Sequence, residues 1–156
     1  MTWPETAAAL RAIEDRYRKE RLRYGPGAAE RTPYEEVEPF LRQACLRYPG
    51  ATEREREEIR RFFASTDAVR QRLVRFAGSC ASRFHATGEA AALDLALVAI
   101  AMEDLVTDFR DITLMLEALA REAMNRHVDP RPIFERAAAM SSARTAALIA
   151  RAVSRQ

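Results

Sequence analysis

Residues 89–104 read EAAALDLALVAIAMED. Wound at about 3.6 residues per turn, Leu93, Leu95, Leu97, Val98, Ile100 and Met102 point in every direction. A helix that is apolar all round is enclosed by others, so this stretch predicts a central helix rather than a surface one. Its apolar run, Ala90 to Met102, is broken by Asp94 and falls short of the roughly 20 residues that span a bilayer. Beyond Val106-Thr107-Asp108, residues 109 to about 127 carry Ile112, Leu114, Met115, Leu116, Leu119 and Met124 at helical spacing. The two segments are expected to form an antiparallel hairpin at the centre of the core, 89–127.

The flanking segments read as helices too. Helix one is expected from about Pro4 to Tyr24, with a thin apolar stripe of Leu10, Ile13, Tyr17 and Tyr24 that Trp3 continues. Proline suits a first helical position, where its missing N–H is not needed. The rest of that helix is densely charged, which predicts light packing, or packing on a partner. Gly25-Pro26-Gly27 stops it and opens a linker, 25–32. Thr32 and Glu35 have capping-box spacing for a second helix with Val37, Leu41, Ala44, Cys45 and Tyr48 on one face. Pro39 lies inside that pattern and either kinks the helix or starts its main part. After Tyr48-Pro49-Gly50, Thr52 and Glu55 repeat the capping box. The helix from Glu53 to about Ala64 then buries Ile59, Phe62 and Phe63. A fourth helix, from Ser65-Thr66-Asp67 to about His85, carries Val69, Leu73, Phe76, Ala77, Cys80 and Phe84 and ends at Gly88. Asp129-Pro130 begins a short helix with Ile133, Phe134 and Ala137. Ser141-Ser142 separates it from a last one with Leu148, Ile149 and Val153. No stretch alternates with period two, so no strand is expected. The reading is a single all-α domain, 1–156. It is an irregular bundle of seven or eight helices around a central antiparallel hairpin, with layered helix pairs as one arrangement and residues 1–24 as a peripheral helix.

Composition supports this. The chain has 156 residues, 30 of them alanine and 5 glycine, a balance that favours helix. Of 25 basic residues only Lys19 is lysine. Such arginine excess beside so much alanine fits GC-rich coding and is discounted as a sign of nucleic-acid binding. The formal net charge is +2, too small for a global field toward nucleic acid or an anionic membrane. Charge is uneven, however: residues 87–128 are net acidic and both flanks are net basic. That asymmetry suits internal pairing or head-to-tail self-association. Cys45 and Cys80 read as buried thiols rather than a disulfide framework. The first twenty residues lack a signal peptide's apolar core. A cytoplasmic location with no membrane association is therefore expected.

Chemistry concentrates at one junction, Glu103-Asp104-Leu-Val-Thr-Asp108-Phe-Arg110-Asp111. Gathered carboxylates can hold Mg²⁺, Mn²⁺ or Ca²⁺ and can raise one another's pKa. Glu103, Asp104, Asp108 and Asp111 are thus the candidate metal ligands, and a small carboxylate metal enzyme is one reading. The alternative is structural: Asp108 caps the next helix, Asp111 meets its dipole, and Arg110 pairs with the preceding carboxylates. The paired Glu-x-x-His of di-iron bundles and the His-Glu-x-x-His of zinc hydrolases are absent. Glu35-x-x-Glu38 matches half of a helical pyrophosphatase pattern, but Pro39 adjoins it and no Glu-x-x-Asp follows. His85 and His127 fall near helix C-termini and read as caps. Asp94, inside the most apolar helix, must meet an arginine or a backbone donor, or face out through a gap. A second alternative is nucleic-acid binding through the arginines of the first helix with Tyr17 and Tyr24, diluted by Glu5, Glu14, Asp15 and Glu20.

Asp104-Leu-Val-Thr-Asp108-Phe109-Arg110 is similar to the aspartate and Val-Arg positions of a HEAT-type helical repeat. The resemblance implies a stacked helix pair serving as a protein-binding scaffold. It covers one unit, Thr113 stands where that pattern has alanine, and no second copy recurs at a fixed period. Without a catalytic set, the leading expectation is a non-enzymatic interaction or regulatory module of the adaptor or immunity type. It would need no cofactor and would bind a protein partner or itself. Trp3, Tyr17, Tyr24 and Arg110 are the candidate contact residues.

Overall fold

A computed structural model describes residues 1–25, 34–103 and 109–156, without the side chains of Asp67 and of residues 109–111. The described residues form eight α-helices: α1 (Trp3–Tyr24), α2 (Tyr34–Arg47), α3 (Glu53–Ser65), α4 (Asp67–Thr87), α5 (Ala90–Met102), α6 (Phe109–Asn125), α7 (Arg131–Ala139) and α8 (Ala143–Ser154). A 3₁₀ turn, Tyr48–Gly50, joins α2 to α3. The all-α multi-helix bundle read from the sequence is therefore what forms. No described helix is long and apolar enough to cross a membrane.

The central helix is α5, as its all-round apolarity requires. Leu93, Ala96, Leu97, Ala99, Ile100, Ala101 and Met102 are all essentially inaccessible, and the helix touches α2, α3, α4, α7 and α8. Its hairpin partner differs from the expectation. Among the described residues α5 packs chiefly on α4, whereas α6 packs chiefly on α8. The reason is chain geometry. Only Gly88 and Glu89 separate α4 from α5, and Gly88 adopts the left-handed conformation (φ 72°) that reverses the chain at once. A side chain there would meet more than strain: a Cβ on Gly88 would lie 2.5 Å from Arg126 Nη1.

The first helix is not peripheral. Trp3, Thr6, Leu10, Ile13, Glu14 and Tyr17 of α1 are buried, and Trp3 meets Phe62 edge-on at a 5.4 Å centroid distance. Two devices fix it. Thr2 and Glu5 form a full capping box at its start, which places the first helical residue at Trp3, one before Pro4. Glu14 crosses to the start of α4, where its carboxylate accepts from the backbone N–H of Val69 at 2.9 Å and of Ala68 at 3.5 Å. That role falls to Glu14 because Thr66, the residue positioned to cap α4, turns its hydroxyl back to donate to the Phe62 carbonyl. An orphan helix N-terminus is thereby satisfied from another helix. Replacing Glu14 with alanine should lower stability by about 1–2 kcal/mol, the range for a lost cap. Urea unfolding of the two proteins measures it, and a difference near zero would show that the contact contributes nothing.

Other caps follow the sequence in part. Thr52 accepts from the Glu55 N–H at 3.2 Å, but Glu55 does not complete the box. Its carboxylate binds Arg47 at 2.6 Å, tying α3 to α2. Thr32, the proposed cap of α2, lies outside the described residues, and Pro39 sits within α2. Ser142 caps α8 through Thr145 N–H. Cys45 and Cys80 are buried free thiols, and burial pushes both thiol pKa values up.

Candidate functional site

Asp94 marks the most distinctive surface feature. It is a charge in an otherwise apolar helix, and it resolves as the sequence demands: it is exposed and pairs with Arg136 of α7 at 3.4 Å. The pair stands at the edge of an apolar groove of about 540 Å³ between α2, the 3₁₀ turn, α5 and α7. Leu95, Val98, Ile133 and Met140 line it, and Cys45 and Ala137 close its floor. The groove reaches down to core residues, since Cys45, Val98 and Ala137 are all buried. On its lip Leu46 is 59% exposed, one position past the buried stripe of α2.

One wall is braced by polar contacts. Arg56 donates through Nε to the Tyr48 carbonyl at 3.1 Å and through Nη2 to the Pro49 carbonyl at 2.6 Å. Its guanidinium also lies 5.8 Å from the Tyr48 ring centroid. Beneath it, Arg60 Nη1 donates to the Tyr48 hydroxyl at 2.7 Å and to the Met140 carbonyl at 3.0 Å. Tyr48 in turn donates to that same carbonyl. Arg60 Nη2 binds Glu53 at 2.9 Å, which holds the Glu53 carboxyl below its ordinary range. These contacts join the 3₁₀ turn, α3 and the end of α7, so the groove is a preformed shape rather than a gap between loose elements.

A second cavity, of about 620 Å³, lies where α6 ends against α7 and α8, and His127 lines it. His127 is the only described non-glycine residue with positive φ, 59°. It occupies the position after α6 that glycine usually takes. The Val128 N–H reaches back to the Ala123 carbonyl at 2.8 Å and the His127 N–H to Met124 at 3.0 Å, which is the Schellman pattern. A side chain in that conformation costs about 1–2 kcal/mol. The His127→Gly variant should therefore gain roughly 0.5–1 kcal/mol after the larger unfolded-state freedom of glycine is counted. Thermal unfolding checks this. A loss of stability would mean that the imidazole makes contacts worth more than the strain.

The junction singled out in the sequence is only partly visible. Asp104 and Asp108 lie outside the described residues, as do the side chains of Arg110 and Asp111. Glu103 is described and is 3% exposed. Burial raises its pKa to about 7, and the nearby Arg70 guanidinium opposes the rise only in part. Among the described residues no three His, Cys, Asp or Glu side chains gather as metal ligands. Of the contact candidates, Trp3 and Tyr17 are in the core at 6% and 1% exposure, while Tyr24 is 66% exposed. Trp3 and Tyr17 are corrected on that point: the stripe read as spare on a charged helix is the surface that docks α1 on the body. His85 lies in the last turn of α4 with Nδ1 3.4 Å from Glu122.

The groove itself was not legible as a site. Leu95 and Val98 belong to a helix whose apolar residues point all ways, so nothing in the sequence separates groove lining from core. The one signal was Asp94, whose charge required a route to solvent.

Fold and site together define an all-α bundle with a braced apolar groove. No family model, curated protein or solved structure matches the chain.

Proposed function

We propose that this chain is a non-enzymatic interaction or regulatory module of the adaptor or immunity type, and that the groove between α2, α5 and α7 is its binding face. One observation carries the reading: a concave apolar surface, with Leu46 held out on its lip, is built onto a braced wall and is not filled by side chains of the described residues. Exposed concave apolar surface of this kind is where partners and ligands bind. The one thiol of the groove, Cys45, is fully buried and held protonated by that burial.

The paired substitutions Leu46→Glu and Leu95→Glu place charge on the lip and lining without entering the sealed core. In-cell crosslinking followed by recovery of the tagged chain should yield proteins, or a second copy of the chain, that this variant fails to retain. Recovery of the same set by both proteins, with the variant folded by circular dichroism, would remove the groove from the interface.

A further inference from the structure

We infer that the groove beside Asp94 and Arg136 is a small-molecule site for an aliphatic chain ending in a single carboxylate, with the chain against Leu95, Val98, Ile133 and Met140 and the carboxylate on Arg136. The inference goes beyond the interaction reading, because it names a free ligand rather than a protein partner.

Shape favours a small molecule. The volume, about 540 Å³, falls within the roughly 300–1,000 Å³ of small-molecule sites. The floor is set by residues of the buried core, Cys45, Val98 and Ala137. A concave apolar surface that reaches core residues can receive the end of an aliphatic chain.

Charge selects the head group. The lining carries two guanidinium groups, Arg56 and Arg136, against one carboxylate, Asp94. Arg56 is committed to two backbone carbonyls. Arg136 is not: its 3.4 Å contact with Asp94 joins two side chains that are more than half exposed. Such a pair holds its members loosely. A ligand carboxylate can take Arg136 in a two-pronged contact that Asp94 does not make. Arg56 is further offset by Glu53 at 3.6 Å, so the head group is set at Arg136, and a ligand ammonium would have to win Asp94 from it. A neutral head group would gain from the apolar lining alone.

Decanoate, decanol and decylamine share a chain and differ in the head. Each is titrated into the full chain below its aggregation limit and followed by backbone amide shifts. Decanoate should bind saturably and one to one, with shifts centred on Leu95, Ile133 and Met140, and about tenfold more tightly than decanol, the value of one charge-assisted contact. Decylamine should bind no better than decanol. Arg136→Gln, on an exposed side chain, should erase the preference for decanoate over decanol and leave decanol affinity unchanged. Asp94→Asn should raise decanoate affinity. The inference is overturned by a preference for decylamine, by equal binding of the three, by shifts centred elsewhere, by a response that never saturates, or by a preference that survives Arg136→Gln. If Leu46→Glu with Leu95→Glu loses protein partners while none of the three probes binds, the interaction reading stands and this one fails.

Discussion

Replacing Glu103 with glutamine should stabilise the protein by about 2–3 kcal/mol at pH 8 and leave it almost unchanged at pH 4. The carboxyl is 3% exposed at the end of α5, and burial moves its pKa from 4.5 to about 7. Here the folded value is raised above the unfolded one, so the folded state holds the proton more tightly. Below pH 4.5 both states are protonated and no penalty arises. Between pH 4.5 and 7 the unfolded chain releases the proton and the folded chain keeps it, so stability falls as pH rises. Above pH 7 the folded state carries a buried carboxylate and the loss is complete. At roughly 1.4 kcal/mol per pKa unit the shift would be worth about 3–4 kcal/mol in a fully dry site, and partial solvent screening brings it to the stated size. Glutamine keeps the shape and cannot ionise. Urea unfolding of both proteins at half-unit pH steps isolates Glu103, because every other titrating group is common to the pair. Parallel stability profiles between pH 4.5 and 7 would show that the carboxyl is not buried as described.

The second large effect is expected at Arg60. The residue is 8% exposed, and its guanidinium links the Tyr48 hydroxyl, the Met140 carbonyl and Glu53. Removing one member of a buried ion pair usually costs about 3–5 kcal/mol, largely because the other charge is left in a dry site. Glu53 is 60% exposed and would return to water, which lowers the expected loss. The Met140 carbonyl keeps its bond from Tyr48. Arg60→Ala should therefore cost about 2–3 kcal/mol, from lost charge-assisted bonds and lost packing of the arginine stem. Tyr48→Phe should cost about 1 kcal/mol, because Arg60 still serves the carbonyl. The double variant should be less destabilised than the sum, since both side chains serve one acceptor. Additive losses would mean that they act separately.

These expectations show where sequence reasoning reached and where it stopped. Leu93, Leu97, Ile100 and Met102 declared a central helix because local periodicity alone reports how many faces of a helix are apolar. Gly88 and Ser142 declared helix ends for an equally local reason, a left-handed backbone in one case and a short hydroxyl near free N–H groups in the other. Glu14 gave no such signal. Its neighbours in sequence mark it as part of a solvated face, and only the approach of α1 to α4 turns it into a cap. The same holds for Trp3 and Tyr17, read as spare surface and found as the seam that joins α1 to the body.

The sequence by itself determined that this chain is all helix, where most of its helices end, and that α5 is enclosed, since each of these is set by residues within a turn or two of one another. Tertiary structure alone decided which helices pair, that Arg60 and Tyr48 brace one wall, and that Leu46, Leu95, Ile133 and Met140 surround an open groove beside Asp94. Those outcomes depend on contacts between residues some 40 to 90 positions apart. A helical period records which face is apolar and carries no information about which other helix covers it, or whether any helix does.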